Sequence, residues 1–225
     1  MKKNLGEIAT RLYESPTFQR LLKRYSERTK GIVFFCGSGA SAEAGLPTWP
    51  AFIGGLRREL TSPPYSTAAG SSLPERLSQV DNEQDYWRKV SIIKSLLGDA
   101  QYESAVKFLL TAKPNSSTTF YDACWSLKPK GILTVNLDML AGNSFRSAGT
   151  RLNEVNGDSA HENDRVVNAD SPFVVNLHGT VDTASSWILT AEERDRLLSQ
   201  EGYKHFLRNI FTRYTVVFLA SRLPT

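Results

Sequence analysis

Polar groups that could take part in binding or catalysis follow three separate apolar runs of the sequence. Residues 37–39 (Gly-Ser-Gly) follow the first run, Asn136 and Asp138 follow the second, and His178 follows the third. Because ligands of open α/β sheets bind beyond the carboxyl ends of the strands, these groups are predicted to converge on one edge of a sheet. An amide and an imidazole at that edge could orient a water or a sugar hydroxyl, and an imidazole can accept a proton near neutral pH.

The glycine-containing loop is the part of this pattern that could hold a phosphate. The apolar run Ile32–Phe35 predicts a buried strand, and residues 40–44, which are rich in alanine, suit the first turns of a helix. A helix N-terminus offers unpaired N–H groups and a partial positive charge to an anion. The spacing Gly37-x-Gly39-x-x-Ala42 fits the dinucleotide fingerprint with alanine in third place.

Each of these signals has a simpler structural interpretation. The glycine loop is equally consistent with a strand–turn–helix connection that binds nothing. Asn136 and Asp138 are also typical of a turn or a helix cap, and His178 before a glycine is typical of a buried histidine in a turn. The acidic residue that completes an ordinary dehydrogenase fingerprint is missing, because the chain runs into residues 45–50 (GLPTWP).

Composition excludes several classes of protein. The chain has 225 residues, a formal net charge of +4 and scattered basic residues, which predicts a globular domain without a nucleic-acid-binding stripe. Cys36 and Cys124 are not in a CxxC spacing, so neither a zinc site nor a disulfide framework is indicated, and a reducing compartment fits. The sequence offers no signal-peptide pattern and no apolar run of bilayer length, so we expect a cytoplasmic protein that does not bind membranes.

Helical patterns dominate the first half of the chain. Residues 5–25 predict an amphipathic helix bent near Pro16, with a buried face formed by Ile8, Leu12, Phe18, Leu21 and Leu22. Residues 52–60, 86–97 and 102–110 have helical apolar spacing, whereas residues 61–72 predict a polar loop. We therefore expect residues 52–127, approximately, to form a helical insert beside the glycine loop.

Strand patterns return in the second half. Residues 131–135 (GILTV), 172–177 (PFVVNL) and 187–190 (WILT) predict strands, residues 191–211 predict a helix, and residues 151–170 are ambiguous. Residues 215–219 (TVVFL) have the apolar character of a buried parallel strand. The expected fold is a single α/β domain over residues 1–225, with a Rossmann-like, mostly parallel sheet, flanking helices and the helical insert.

Four motifs, taken together and in order, resemble those of sirtuins. Residues 37–41 (GSGAS) resemble the GAGxS loop, and residues 45–47 (GLP) resemble the GIP segment. Residues 134–138 (TVNLD) resemble the TxNxD segment, and residues 177–179 (LHG) resemble the histidine–glycine pair. Residues 187–190 are similar to the segment after the histidine in bacterial SIR2-like proteins. The chain therefore resembles a SIR2-like domain.

The departures from the sirtuin pattern indicate a particular type of SIR2-like domain. No cysteine follows His178, so the zinc ribbon of protein-deacylating sirtuins is lacking; Thr48 and Trp49 replace the usual acidic residue and phenylalanine, and Val135 replaces a glutamine. These changes resemble the SIR2-like domains of bacterial anti-phage systems, which hydrolyse NAD⁺. The resemblance implies NAD⁺ as the substrate, without a metal.

The resemblance also implies a role for each site residue. The catalytic residues would be Asn136, which positions the water or ribose, and His178, which acts as general base or contacts a ribose hydroxyl. Asp138 would orient Asn136 or its loop. The remaining nucleotide-binding residues would be Gly37, Ser38, Gly39 and Ser41 at the pyrophosphate, Thr48 and Trp49 at the nicotinamide, and Ser221 at the ribose or phosphate.

The adenosine side of the implied site is short of residues, because few follow the last strand. Two explanations are that the chain is the N-terminal part of a longer effector and that a neighbouring subunit closes the site. Family members act with Argonaute-like, ATPase or fused sensor components, so the expected partners are a second copy, a defence-system protein or a fused sensor domain. Two alternatives to hydrolysis stay open: an NAD- or ADP-ribose-binding module without turnover, and an NAD-dependent protein deacylase.

Overall fold

A five-stranded parallel sheet forms the centre of the computed structural model, which describes residues 5–27, 30–146, 149–157, 159, 165, 166, 168 and 170–219. Its strands are β1 (Ile32–Cys36), β2 (Gly131–Thr134), β3 (Asn153–Asn156), β4 (Phe173–Asn176) and β5 (Thr215–Leu219). They lie in the order β3-β4-β2-β1-β5, and each neighbouring pair is parallel. The expected α/β fold with a mostly parallel sheet is confirmed.

The three inner strands are buried on both faces along most of their length. All four residues of β2 and of β4 are buried, and so are four of the five residues of β1. Such strands belong in the interior of a parallel sheet that is covered by helices on both sides. The runs predicted at 131–135 and 172–177 end one residue earlier in the structure, and the second also begins one residue later.

Two strand predictions need correction, and one ambiguous range contains a strand. Residues 187–190 form no strand, because the N–H of Ile188 donates to His178 O and the N–H of Leu189 donates to the Glu193 carboxylate. Strand β3 lies within the ambiguous range 151–170. Strand β5 has the predicted bounds but is an edge strand, and Phe218 is 42% exposed, so the prediction of a buried strand is wrong.

The N-terminal helix is broken where the sequence predicts a bend. Helix α1 (Leu5–Glu14) and helix α2 (Pro16–Glu27) meet at Ser15, because a proline suits the first turn of a helix but not its interior. The predicted buried face is wrong: Leu12 is 54% exposed, while Phe18, Leu21 and Leu22 are only half-buried. The side chain of Ile8 lies outside the described residues.

Six α helices connect β1 to β2, and their segment (residues 49–126) is called the helical segment below. They are α3 (Trp49–Glu59), α4 (Tyr65–Ala69), α5 (Leu73–Asn82), α6 (Tyr86–Leu97), α7 (Asp99–Leu110) and α8 (Thr119–Ser126). The polar loop predicted at 61–72 is wrong, because α4 and a 3₁₀ turn occupy most of it and Tyr65 is buried. Residues of α3, α6 and α7 form a core of their own, joined by Leu137 and Trp187 from the loops after the strands.

Helices cover both faces of the sheet. Short helix α9 (Leu140–Asn143) follows β2, and α10 (Ala191–Ser199) and α11 (Glu201–Arg213) precede β5. The single helix predicted at 191–211 is divided at Gln200, whose backbone is extended. One face of the sheet packs against Leu197, Phe206 and neighbouring residues of α10 and α11; the other packs against α8, α9 and the loop after β1.

The strand order places the carboxyl ends of β1, β2 and β4 side by side. The chain leaves β1 for β2 on one side and later crosses to β5 on the other, so the order of strands reverses at β1. Crevices at such reversals are the usual ligand sites of open α/β sheets. None of the described helices is both long and apolar enough to span a bilayer. Cys36 and Cys124 are buried free thiols.

Candidate active site

The loop after β1 turns sharply and then forms a short helix. Gly37 donates its N–H to Leu219 O at the end of β5 and accepts the N–H of Ala40. The helix predicted at residues 40–44 is a 3₁₀ helix, Ser38–Ala44, which ends at Gly45 with φ 81°. Its first N–H groups have no partner within the helix, which is the property that the phosphate prediction needs, but its dipole is that of seven residues only.

The amide of Asn136 is the centre of a buried hydrogen-bond cluster. Its Nδ2 lies 3.0 Å from Gly37 O, 3.0 Å from Ser41 Oγ and 3.2 Å from the hydroxyl of Tyr121. A carbonyl can only accept, so Gly37 O fixes Nδ2 rather than Oδ1 on this side of the amide. The strand end is fixed as well, because the N–H of Asn136 donates to Thr134 Oγ1 at 3.0 Å.

Asp138 completes this cluster through Ser41. The hydroxyl of Ser41 donates to Asp138 Oδ2 at 2.7 Å, and Asp138 Oδ1 accepts the N–H of Leu140 at 3.1 Å. Ser41 is 2% exposed and Asp138 is 5% exposed. The predicted role of Asp138, to orient Asn136 or its loop, is therefore geometrically available through one intervening hydroxyl. Ser41, predicted at the pyrophosphate, has a hydroxyl engaged in internal hydrogen bonds.

Burial shapes the electrostatics of the cluster. It raises the pKa of Asp138, although the hydrogen bonds from Ser41 and Leu140 oppose the shift. It also raises the pKa of Tyr121, with the nearby Asp138 carboxyl adding to the effect. The tyrosine hydroxyl is therefore protonated near neutral pH and can donate one hydrogen bond while it accepts another.

His178 is placed by a turn that requires glycine. The N–H of Gly179 donates to Asn176 O at 3.0 Å, and Gly179 has φ 85°. A Cβ at position 179 would lie 2.2 Å from Ser186 O, because the loop carrying Ser186 packs directly on the turn. Ser186 Oγ also accepts the N–H of Thr180. The structure thus explains why a glycine follows His178, which the sequence pattern alone did not.

The imidazole of His178 lies at the end of a row of aromatic rings. Its centroid is 5.4 Å from that of Trp87 in an edge-to-face arrangement, and Trp87 is 5.3 Å from Trp49. Trp49 in turn stacks on the buried Phe52 at 5.5 Å. His178 is half-buried, and desolvation lowers its pKa to about 4, so the ring is neutral at pH 7. Among the described residues, no side chain or backbone group hydrogen-bonds to this ring.

The amide cluster and the aromatic row lie on adjacent loops. Thr134 pairs with Asn176, so Asn136 and His178 each come two residues after paired strand positions. The N–H of Val181 donates to Leu137 O at 2.8 Å, which joins the loop after β2 to the loop after β4. Within the described part of the chain, no hydrogen bond links the side chains of Asn136 and His178. They share one edge of the sheet rather than one hydrogen bond.

Comparison with known proteins gives a partial match to one family model, and the matched residues include those at this edge. Residues 130–223 match the sequence model of the SIR2-like domain. The SIR2-like segment contains Asn136, Asp138 and His178, and domains of this class use NAD⁺, so an NAD-related function is indicated. The match does not extend to the glycine loop or the helical segment. No curated protein matches the sequence.

The other residues predicted to bind the nucleotide, apart from Ser221, precede the SIR2-like segment in the chain. Gly37 is buried, Ser38 is half-buried and Gly39 is exposed at the loop after β1. Thr48 is exposed before α3, and Trp49 belongs to the aromatic row. Ser221 lies outside the described residues. No group of three His, Cys, Asp or Glu side chains within the described ranges is placed to hold a metal ion.

Two residues of the site were missed by the sequence analysis. Tyr121 of α8 and Trp87 of α6 both come from the helical segment, where their spacing is that of ordinary core aromatics. Only the folded structure brings Tyr121 to Asn136 and Trp87 to His178. No sequence signal distinguished them from the other aromatic residues nearby.

Proposed function

We propose that the protein hydrolyses NAD⁺ at the bond between nicotinamide and ribose, giving nicotinamide and ADP-ribose. The observation that carries this proposal is the fixed amide of Asn136, which is held by Gly37, Ser41 and Tyr121 within a segment that matches the SIR2-like domain. A side chain held by three partners at the carboxyl edge of a sheet is suited to position a reacting group.

The reaction requires little acid–base catalysis from the protein. Nicotinamide leaves NAD⁺ as a neutral molecule when the electron pair of the C1′–N1 bond passes to the pyridinium nitrogen. Water then forms a bond to C1′ and releases a proton, so NAD⁺ and water give nicotinamide, ADP-ribose and H⁺. The protein must hold C1′ near a water molecule and stabilise the cationic sugar that develops.

Each residue has a role in this proposal. The backbone at Gly37, Ser38 and Gly39 would hold the pyrophosphate, with Ser41 bracing the loop from below. Asn136 would position the water or ribose, and Asp138 would hold Ser41 in the orientation that the amide needs. Thr48 and Trp49 would border the nicotinamide, and Ser221 would contact the ribose or phosphate.

His178 would accept the proton of the attacking water or contact a ribose hydroxyl. The imidazole is neutral at pH 7 and has no hydrogen-bond partner among the described residues, so it is available as an acceptor. A base with a pKa of about 4 removes a proton only as the water becomes bonded to C1′ and more acidic, which fits a late proton transfer.

Nicotinamide release from NAD⁺ tests the proposal. Asn136→Ala and His178→Ala are each expected to lower the rate at least about 100-fold, as expected for loss of a positioned catalytic group. Asn143→Ala on α9 and His205→Ala on α11 are matched controls, because both residues are exposed. Thermal unfolding confirms that each variant is folded. Full activity in either Asn136→Ala or His178→Ala would remove the assignment.

The same incubations separate the alternatives. Saturable NAD⁺ or ADP-ribose binding without nicotinamide release would identify a binding module. Nicotinamide release that depends on an added acyl-lysine peptide, with acyl-ADP-ribose as product, would identify a deacylase. Hydrolysis is favoured over deacylation because no cysteine follows His178 to form the zinc ribbon that borders the acyl-lysine channel in sirtuins.

The resemblance to anti-phage SIR2-like domains also suggests the biological setting. We propose that NAD⁺ loss acts as a defence response, with a second copy, a defence-system protein or a fused sensor domain controlling it. In bacteria that express the protein, phage infection should lower cellular NAD⁺ and plaque formation together. Asn136→Ala should abolish both effects, and an unchanged NAD⁺ level during effective protection would contradict this setting.

A further inference from the structure

The helical segment closes one side of His178 with an indole. Trp87 of α6 lies edge-to-face against the imidazole, with ring centroids 5.4 Å apart and planes at 72°. The half-buried imidazole therefore has one side covered by an aromatic ring that comes from outside the SIR2-like segment. An acceptor that approaches the imidazole from this side would meet the indole.

Trp87 is held in place from several directions. Trp49 lies 5.3 Å away and is itself stacked on the buried Phe52. The guanidinium of Arg194 lies 5.6 Å from the Trp87 ring and within 3.8 Å of the Asp85 carboxylate. A cation over an indole face stabilises its position, and packed aromatic pairs do the same. The indole is thus part of a fixed wall rather than a freely rotating surface side chain.

We propose that Trp87, braced by Trp49 and Arg194, is a specificity-determining residue that restricts the acceptor of ADP-ribose to water. This inference rests on the proposed NAD⁺ hydrolysis and deepens it. A small acceptor can reach C1′ beside the neutral imidazole, whereas an alkyl or side-chain acceptor meets the indole. A pocket wall of this kind discriminates by about 10-fold or more for each added methylene.

Alcohols of increasing size can report on this wall. An alcohol takes the place of water at C1′, forms an O-alkyl ADP-ribose and releases one proton, while nicotinamide leaves as before. In a mixture of methanol and 1-propanol, the ratio of propyl to methyl product measures how much room the acceptor has. This ratio does not depend on the total rate, so a variant with altered activity still gives an answer.

Trp87→Ala is the main test, with products separated by liquid chromatography and mass spectrometry. The propyl-to-methyl ratio is expected to rise about 10-fold or more relative to the wild-type protein. Trp87→Phe, which keeps an aromatic ring, should stay near the wild-type ratio. Trp125→Ala is the matched control, because Trp125 packs against Phe145 on the opposite side of the sheet. If Trp87→Ala does not fold, Trp87→Leu takes its place.

The outcomes are distinguishable from those of the proposed function. A wild-type ratio in a folded Trp87→Ala or Trp87→Leu protein that still releases nicotinamide would overturn the inference and leave hydrolysis intact. The same increase in Trp125→Ala would also overturn it, since general loosening would then explain the change. Absence of nicotinamide release from the wild-type protein would overturn the proposed function, and this inference with it.

Discussion

Two buried tyrosines of the helical segment differ in what their hydroxyls contact. Tyr121 lies within hydrogen-bond distance of Asn136 and Ser41, whereas the hydroxyl of Tyr102 is buried without a hydrogen-bond partner among the described residues. A buried hydroxyl stabilises the folded state only when it is paired, and an unpaired one carries a desolvation cost. Tyr121 and Tyr102 therefore allow the contribution of a hydrogen-bonded hydroxyl to be compared with that of an unbonded one in the same protein.

Tyr121→Phe is expected to lower stability, whereas Tyr102→Phe is not. Loss of the paired hydroxyl should lower the free energy of unfolding by about 1 kcal/mol, whereas loss of the unpaired one should leave it unchanged or raise it. Urea unfolding followed by circular dichroism measures both. Equal effects of the two substitutions would mean that the contacts of Tyr121 do not stabilise the amide cluster.

The pH dependence of stability should report on His178. Its pKa in the folded protein, about 4, lies below the value of 6.5 that an unperturbed histidine has, so the unfolded chain binds the proton more readily. The free energy of unfolding should therefore fall as the pH drops from about 6.5 to about 4. His178→Asn should show a shallower decrease than the wild-type protein between these pH values, and His205→Asn, on an exposed position, serves as the control. Identical slopes would contradict the desolvated imidazole.

At the scale of elements, the turn after β4 depends on Gly179 for two reasons at once. Its φ of 85° is unfavourable for other residues, and a Cβ would meet Ser186 O at 2.2 Å. Gly45, at the end of the 3₁₀ helix, also has a positive φ of 81° but has open space where a Cβ would be. Alanine substitutions at these two glycines therefore distinguish the cost of backbone strain from the added cost of steric overlap.

Gly179→Ala should destabilise the protein more than Gly45→Ala. Backbone strain alone costs roughly 1 kcal/mol, and the overlap with Ser186 adds to it at position 179 only. Thermal unfolding measures the difference, and nicotinamide release is expected to fall with Gly179→Ala because the turn places His178. Similar unfolding temperatures for both variants would show that the Ser186 loop moves aside without cost.

Elements with a strong pattern could be predicted from the sequence, and those defined by their surroundings could not. The apolar runs of β1, β2 and β4 gave correct strands within one or two residues, because inner parallel strands are apolar throughout. Strand β3 has the polar sequence NEVN and forms through its pairing with β4. Residues 187–190 are as apolar as a strand, but side-chain and loop groups take their N–H donors.

The residues of the candidate site likewise divide into those that a sequence pattern predicts and those that only tertiary packing brings to the site. Asn136, Asp138 and His178 could be predicted at one sheet edge because they follow apolar strands, and the order of the motifs is readable from the sequence. Tyr121 and Trp87 could not, since their roles arise from how the helical segment packs on that edge. The division of the predicted residues into a hydrogen-bonded cluster and an aromatic row also depends on tertiary packing.

At the scale of the whole molecule, the helical segment is tied to the sheet region through α10. Lys94 of α6 forms a salt bridge of 2.9 Å with Glu193, and Ser91 accepts the N–H of Ala191. Burial raises the pKa of Glu193, but hydrogen bonds from Leu189, Thr190 and Lys94 outweigh it, so the pKa lies below its ordinary value. The stabilisation is therefore present at neutral pH and is lost as the pH falls through the folded-state pKa.

Lys94→Met should weaken this connection measurably. The salt bridge is partly buried, so its loss should lower the free energy of unfolding by about 1–2 kcal/mol at pH 7. Lys107→Met is the control, because Lys107 forms a more exposed pair with Glu103 and should matter by less than about 0.5 kcal/mol. Urea unfolding at pH 7 measures both variants. Equal decreases in the free energy of unfolding would mean that the salt bridge to α10 stabilises the protein no more than an exposed ion pair does.

The hydrogen bond from Gly37 to Leu219 ties the glycine turn to the outermost strand of the sheet. Edge strands exchange their amide hydrogens through small local openings well before a domain unfolds as a whole. Each such opening at β5 would also break the hydrogen bond from the N–H of Gly37 to Leu219 O. The backbone of the turn would then no longer be held in the conformation proposed to bind an anion. If the turn holds the pyrophosphate as proposed, its affinity for the nucleotide should depend on the stability of this edge of the sheet. A molecule that binds along β5 would then change nucleotide affinity without contacting the nucleotide.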